Sequence, residues 1–306
     1  MINYIRSDLA LELNEDIQDK STDNGIVVNN SISTSGRLNE TTIQITSEEG
    51  ERLIGKPIGT YITIEGDSLN EFDEDIHKEF SDALKSNLKD LIGDVKKILV
   101  IGLGNRQITP DSLGPLVVDN LYITRHLVRE KIIENTIEIS AISPGVLAQT
   151  GIENKDILES LCKKTNPDIV IAIDALAARE PSRLGTTIQI CDTGISPGSG
   201  VGNHRAKLDF ESLGVKVIAI GVPTVISVPA IVNQAIDGLI SFFLSKPEGQ
   251  KIELTDEEKN NLTCNFLEDN LISMYVTPKN IDESVKRISF TISEAINSFL
   301  ELQQTL

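Results

Sequence analysis

Short, uninterrupted apolar runs recur through the middle of this chain, and they limit its fold more than any other feature. The runs at 97–104 (KILVIGLG) and 168–176 (DIVIAIDAL) lack the regular polar alternation of a half-exposed strand. Parallel strands have this composition when helices cover both faces of their sheet. Further strands are predicted at 136–142, 186–192 and 216–223.

Segments with apolar residues three and four positions apart separate these strands. They predict helices over 111–128, 155–164, 229–244 and 281–302. The polar, acidic segment 245–270 is predicted to be a surface excursion. Strands that alternate with helices in this way indicate an α/β fold, with a mostly parallel sheet and helices on both faces.

The first third of the chain has a different pattern. Residues 24–65 alternate β-branched and polar side chains between Gly and Pro residues, which predicts an antiparallel β meander. An amphipathic helix is predicted over 72–92, and a short helix is expected within 9–18. We therefore predict a β-rich subregion over 24–95 and an α/β core over 96–306, together forming a single domain.

Composition limits the partners. The 306 residues include 46 acidic and 28 basic side chains, a net charge of −18, so direct nucleic-acid binding is not expected. The longest apolar runs are of strand length and the first residues are polar, so neither a membrane span nor a signal peptide is expected. Three cysteines without a C-x-x-C pair predict no disulfide framework and no structural zinc site, which fits a cytoplasmic location.

Two aspartates stand where α/β proteins place their sites, at the carboxyl ends of strands. Asp174 ends an apolar strand, and Asp111 follows another strand in TPDSLGP. A helix N-cap is one interpretation of Asp111, and a capping or loop-bridging carboxylate is one interpretation of Asp174. The alternative is that both face one cleft, where one stays ionised as a base and the other stays protonated as an acid. Such a pair can activate water for peptide hydrolysis.

A glycine-rich loop, GSGVGNHR, contributes further candidates. Gly198, Gly200 and Gly202 would let the backbone approach a substrate closely, and their N–H groups could stabilise an oxyanion; a flexible turn is the alternative. His204 is the histidine best placed for a functional role. Four arginines could bind a substrate carboxylate, with surface ion pairs as the alternative: Arg125, Arg179, Arg183 and Arg205.

Longer runs carry a family resemblance. The segments GLGNRQITPDSLGPLVVDNLYITRHL, IVIAIDALAAR and IQICDTGISPGSGVGN resemble the germination proteases of endospore-forming bacteria, as do YIRSDLALE and MYVTPKNID. The resemblance implies an aspartic-type endopeptidase of the forespore or spore core that degrades small acid-soluble spore proteins during germination. It implies that Asp111 and Asp174 are the essential aspartates, that the fold is similar to that of hydrogenase maturation peptidases, and that the chain forms a homotetramer. No metal or other cofactor is expected.

The same resemblance implies a zymogen. Substrates of the family are cut after an acidic residue and before a hydrophobic residue that is followed by Ala, a variable residue and Glu. The segment DLALE, which begins at Asp8, has this pattern. We predict self-cleavage between Asp8 and Leu9, with residues 1–8 as a propeptide and residues 9–23 as an N-terminal extension. An ordinary helix start, with Asp8 in the first turn, is the alternative.

Two other functions fit the same residues. A metal-dependent peptidase of the maturation type would use Asp111, Asp174 and His204 as ligands. A non-catalytic carrier would hold spore proteins through its acidic surface.

Overall fold

One continuous sheet organises the chain in a computed structural model. The structure describes residues 7–15, 17, 25–67, 69, 72–134, 136–202, 205–244 and 254–303. Within these residues the sheet has nine strands. They are β1 (Ile26–Ile32), β2 (Asn39–Ile45), β3 (Gly59–Glu65), β4 (Lys97–Gly102), β5 (Glu138–Ile142), β6 (Ile169–Ala178), β7 (Thr187–Cys191), β8 (Lys216–Ser227) and β9 (Tyr275–Val276).

The strand order is β1-β2-β3-β7-β8-β6-β4-β5, and β9 pairs with β8. Strands β8, β6, β4 and β5 are parallel, whereas β1, β2, β3, β7 and β8 pair antiparallel in succession. The predicted α/β class is confirmed, and the sheet is mixed because β7 runs against β8 and joins the parallel core to the N-terminal meander. The predicted boundary near residue 95 therefore falls within one sheet.

Helices cover both faces of this sheet, as predicted. In the described residues they are α1 (Ala10–Glu15), α2 (Glu48–Ile54), α3 (Glu74–Ile92), α4 (Leu113–Asp119), α5 (Arg125–Arg129), α6 (Leu147–Thr150), α7 (Asn154–Thr165), α8 (Phe210–Leu213), α9 (Val228–Leu244), α10 (Asp256–Phe266), α11 (Asp269–Ile272) and α12 (Ile281–Gln303). Helices α3, α4 and α12 build the larger core on one face. Helices α1, α2, α7 and α8 pack on the other face.

Strand β6 shows why its sequence is apolar throughout. Ile171 and Ile173 point into the larger core, while Val170 and Ala172 point into the core beneath α7 and α8. Successive side chains of a strand alternate between faces, so a strand covered on both sides has no solvent-facing position. By the same alternation, the side chain of Asp174 lies on the face of Val170 and Ala172.

Two predicted segments differ from the structure. The helix predicted over 111–128 is broken into α4 and α5, because the backbone between them bonds elsewhere: Tyr122 N–H donates to Asn297 Oδ1 at 3.0 Å. The acidic segment 245–270 contains α10 and the start of α11, and Thr255 and Glu258 form a capping box that starts α10. None of the helices in the described residues is both long enough and apolar enough to cross a bilayer.

Candidate active site

Asp111 and Asp174 line the same cavity, which has a volume of about 560 Å³. It lies at the carboxyl ends of β4 and β6, the edge at which parallel sheets place their sites. A second cavity of about 340 Å³ adjoins it, and Asp8, Asp174, Leu176 and Gly198 line both. The two aspartates that the sequence predicts to share a cleft are therefore brought together.

Asp174 is the more deeply placed of the two. Its side chain lies on a buried stretch of β6, the residue is 5% exposed, and Oδ1 accepts the N–H of Ala175 at 2.9 Å. Burial, and then the negative charges of Asp111 and Asp8, raise the pKa of Asp174 well above its usual value. Asp174 consequently holds a proton more readily than an exposed carboxyl does.

Asp111 is held by a turn rather than by a helix start. It ends the 3₁₀ turn Thr109–Asp111, and its Oδ2 accepts the N–H of Asn105 at 2.8 Å, whereas Ser112 precedes α4. The N-cap interpretation is therefore wrong. Burial raises the pKa of Asp111, and the Asn105 hydrogen bond opposes that rise.

The N-terminal segment of the chain lies in this cleft. Asp8 N–H donates to Ala177 O at 3.0 Å, and Ala177 N–H donates back to Asp8 Oδ2 at 3.0 Å. Ser199 Oγ donates to Asp8 Oδ1 at 2.6 Å. Asp8 is thus bound through its backbone and both carboxylate oxygens, next to Asp174.

The two residues after Asp8 are also fully enclosed. Leu9 is 0% exposed and packs in a cluster with Leu176, Leu184 and Ile226. Ala10 is 0% exposed and begins α1. A larger side chain than Ala has no free volume at this position, since protein interiors are close-packed.

Glu12 fills a charged site at the far end of the segment. It is 0% exposed, and its carboxylate accepts the N–H of Arg179 at 2.7 Å and that of Glu180 at 2.9 Å. Arg183 lies 3.3 Å from the same carboxylate and also pairs with Glu15 and Glu65. Burial opposes the charge of Arg183, yet Glu15 and Glu65 outweigh it and raise the pKa of the guanidinium further. A buried carboxylate is tolerated here because a cation and two N–H donors satisfy it.

Gln189 on β7 bonds to both sides of the Asp8–Leu9 peptide. Its Nε2 donates to Asp8 O at 3.2 Å, and its Oε1 accepts the N–H of Ala10 at 2.6 Å. Each residue of the DLALE pattern that the family resemblance specifies therefore has a defined contact in the cleft.

Known proteins are similar in sequence to this chain over most of its length. The family model described as germination protease matches residues 6–252. The chain is 42% identical over 311 residues to a germination protease of Caldanaerobacter subterraneus, covering 97% of this chain and 94% of that one. It is 41% identical over 277 residues to that of Clostridium perfringens, covering 87% and 85%, and 37% identical over 338 residues to that of Priestia megaterium, covering 96% and 90%.

The chain belongs to the germination protease family. Membership makes it an endopeptidase that acts in spore germination. A solved NiFe hydrogenase maturation protease, HycI from Thermococcus kodakarensis, is also similar, with a TM-score of 0.29 and 17% identity over 59% of this chain and 96% of that chain.

The glycine-rich loop contacts the N-terminal segment in a way that the sequence did not predict. Gly200 packs against the Asp8 carboxyl, since a Cβ on Gly200 would lie 2.1 Å from Asp8 Oδ2. The N–H groups of Ser199, Val201 and Gly202 already donate to Ser196 O, Gly198 O and Ser199 O inside the loop. The loop therefore holds Asp8 through Ser199 and Gly200, and these three N–H groups have no free hydrogen to offer an oxyanion. His204 lies outside the described residues.

The four arginines separate into different roles. Arg183 and Arg179 bind the Glu12 end of the segment, and the Arg179 guanidinium donates to Glu12 O at 2.9 Å. Arg205 lines the larger cavity and lies 3.7 Å from Glu153. Arg125 lies in α5, against β5 at the edge of the sheet.

Two contact residues in the cleft, Ser199 and Gln189, were not predicted from the sequence. A signal existed for Gln189, because it is the polar residue between two isoleucines in the run TTIQIC. A polar side chain on a strand buried on both faces requires a partner. Nothing comparable distinguishes Ser199 from the other small residues of its loop.

A three-ligand metal site does not occur in the part of the chain that the structure describes, where no group of three His, Cys, Asp or Glu side chains is suitably placed. His204, the third ligand of the metal alternative, is outside that part. Treatment with a chelator, followed by addition of a metal ion, tests the metallopeptidase alternative.

Proposed function

We propose that this chain is an aspartic-type endopeptidase made as a zymogen, and that Asp111 and Asp174 activate water to cleave its own Asp8–Leu9 bond. One observation carries the proposal: the cavity lined by the two aspartates is also lined by Asp8. Reacting groups held side by side in this way convert a slow bimolecular step into a local one.

The surroundings of the two aspartates favour different roles. Asp174 is the more buried, and the nearby charges of Asp111 and Asp8 also favour its protonated form, so we assign it as the general acid. Asp111 takes a proton from water, and the water oxygen bonds to the Asp8 carbonyl carbon. When the carbon–nitrogen bond breaks, Asp174 donates its proton to the Leu9 nitrogen. One water is consumed, and the pair returns with the proton on Asp111.

Small acid-soluble spore proteins are the proposed substrates after processing. The substrate pattern implied by the family resemblance is acidic, hydrophobic, Ala, variable, Glu. In this chain Ser199 and Ala177 bind the acidic side chain, an apolar cluster encloses Leu9, and Arg183 binds Glu12. Once residues 1–8 are lost and residues 9–15 leave the cleft, a spore protein with the same pattern can make the same contacts.

Incubation of the purified chain with a small acid-soluble spore protein, followed by mass spectrometry, tests this proposal. We expect loss of residues 1–8 from the chain and fragments of the spore protein cut after Glu or Asp. Asp111→Asn and Asp174→Asn should abolish both cleavages. Asp119→Asn, which changes a half-exposed aspartate paired with Arg106, should leave both unchanged.

Three results would contradict the mechanism. Full activity in Asp111→Asn or Asp174→Asn would show that the two aspartates are not the catalytic pair. Loss of activity on treatment with a chelator, restored by a metal ion, would support the metallopeptidase instead. An intact spore protein held in a complex that salt dissociates would indicate a carrier.

The homotetramer and the spore-core location are inferred from the family resemblance. Exposed apolar side chains on α9, Leu239, Phe242 and Phe243, support a subunit interface there, since exposed apolar patches mark contact surfaces. Light scattering tests the mass of the assembly. Leu239→Glu should lower that mass, whereas an unchanged tetramer would place the interface elsewhere.

A further inference from the structure

Gln189 and Asp174 face each other across the strand that separates them. Asp174 on β6 is in register with Gly221 on β8, which is in register with Gln189 on β7. Residues in one such row point to the same face of the sheet. Two strand spacings correspond to about 10 Å. The Leu176 side chain packs over Gly221. Asp174, Leu176, Gly221 and Gln189 all line the smaller cavity, so a carboxyl and a carboxamide stand on either side of it.

The N-terminal segment spans this row of residues, from β6 to β7, at the bond proposed for cleavage. On the β6 side, Asp8 pairs with Ala177. On the β7 side, the Gln189 carboxamide donates to the carbonyl of Asp8 and accepts from the N–H of Ala10. In the opposite orientation the carboxamide oxygen would meet the Asp8 carbonyl oxygen, and the NH2 group would meet the Ala10 N–H. The two partners therefore determine which atom of the carboxamide is the nitrogen.

We propose that Gln189 is a catalytic residue and that its Nε2–H stabilises the oxyanion formed on the Asp8 carbonyl. This inference rests on the proposed function. When the water oxygen bonds to the carbonyl carbon, the C=O π electron pair moves onto the oxygen, which gains a negative charge. The Gln189 Nε2–H is already directed at that oxygen, so the hydrogen bond strengthens as the charge forms. When the carbon–nitrogen bond breaks, the electron pair returns to restore the C=O bond.

Burial supports a ligand-binding role for this side chain. Gln189 is 7% exposed, and its two neighbours on β7, Ile188 and Ile190, are fully buried on the opposite face. A buried carboxamide without partners costs free energy, and here both of its polar atoms are satisfied by the segment that is to be cut. The same two bonds are available to any peptide that replaces the segment.

Self-cleavage of the full chain is the direct test, because it requires no separate binding step. The rate constant is measured for the wild-type chain, Gln189→Glu and Gln189→Met. Glu keeps an acceptor for Ala10 N–H but loses the amide donor, whereas Met loses both. Thr187→Val is the matched control: it changes a buried residue on the same strand and face, and the Thr187 hydroxyl has no hydrogen-bond partner among the described residues.

Docking of the segment is measured separately in the non-cleaving Asp174→Asn background. Hydrogen exchange of the Ala10 amide reports whether the segment remains bound. We expect Gln189→Glu to keep this protection while its self-cleavage slows by about 10²–10³-fold, the usual cost of losing an oxyanion donor. Gln189→Met should be slowed at least as much, and Thr187→Val should cleave at the wild-type rate.

Two results would overturn the assignment. One is cleavage of both Gln189 variants at the wild-type rate. The other is a slowing in both that matches a loss of Ala10 protection, which would mean that Gln189 only holds the segment. Failure of the proposed function looks different, since the wild-type chain would then stay uncut at Asp8, or Asp174→Asn would cut as fast as wild type; either result removes the Gln189 step as well.

Discussion

The hydroxyl of Ser199 donates a hydrogen bond of 2.6 Å to the carboxylate of Asp8, 191 positions earlier in the chain. Together with the N–H of Ala177, it binds the acidic side chain through neutral donors instead of a cation. Such donors bind the carboxylate without adding a positive charge next to it. The negative charge of Asp8 therefore still acts on Asp174, whose pKa it helps to raise.

Ser199→Ala should slow self-cleavage by roughly 10- to 100-fold, because a hydrogen bond to a charged group contributes about 1.5–3 kcal/mol. The rate of loss of residues 1–8, followed by mass spectrometry, measures the effect. Ser160→Ala is the control, since Ser160 lies on α7 and its hydroxyl donates to Asp156 O on the same helix. An unchanged rate in Ser199→Ala would show that the hydroxyl does not contribute to binding Asp8.

Gly200→Ala should prevent docking of the N-terminal segment. A Cβ at residue 200 would lie 2.1 Å from Asp8 Oδ2 and 2.8 Å from Ala177 Cβ, so the Asp8 side chain has to move away. Hydrogen exchange of the Ala10 amide should increase, and self-cleavage should be lost. Gly238→Ala on α9 places its Cβ in open space and should leave both unchanged. Normal processing of Gly200→Ala would mean that Asp8 does not lie against residue 200 when the bond after it is cut.

Glu12→Gln should lower the free energy of unfolding by about 1–3 kcal/mol, since the amide leaves one of two buried N–H donors and the Arg183 charge less well satisfied. Urea denaturation in the Asp174→Asn background, which prevents cleavage, gives the value. Glu15 also pairs with Arg183 but is half-exposed, so Glu15→Gln should cost less than about 1 kcal/mol. Equal effects of the two substitutions would contradict a special role for the Glu12 site.

The sequence predicted the strands and helices that long patterns specify. The buried runs of β4 and β6, the alternating meander and the amphipathic α3 are all present near their predicted positions. The pairing of β3 with β7 could not be predicted, because strand order depends on contacts between residues more than a hundred positions apart. The break between α4 and α5 depends likewise on Asn297, which bonds to the chain at Asn120 and Tyr122.

The candidate site was predictable where chemistry limits the residue type. The sequence predicts Asp174 at the end of its strand, whereas β6 continues to Ala178. A carboxylate in an apolar strand needs an explanation in either case, and Asp111 and Asp174 do line one cavity. Ser199 and the N–H of Ala177 bind Asp8 only because the N-terminal segment and distant loops fold together, and no local pattern encodes that. The position of Gln189 opposite Asp174 follows from strand register, which becomes known only with the sheet order.

Stability should respond to pH through Asp174. Its pKa is raised in the folded chain, mainly by burial and then by Asp111 and Asp8, so the folded state binds a proton more tightly than the unfolded state does. Stability is therefore greatest below the ordinary carboxyl pKa, about 3.9, as far as this group is concerned. It falls as pH rises from there through the raised pKa of the folded state.

Asp174→Asn removes that dependence and should be stabilising at neutral pH relative to the parent chain. The comparison is made in an Asp111→Asn background, where cleavage is prevented and burial still raises the pKa of Asp174. Urea denaturation from pH 4 to pH 7 should show a stability difference that favours the chain carrying Asp174→Asn and grows with pH. A difference that stays constant over this range would mean that the pKa of Asp174 is the same in the folded and the unfolded chain. In that case its assignment as the proton donor to the Leu9 nitrogen would be wrong.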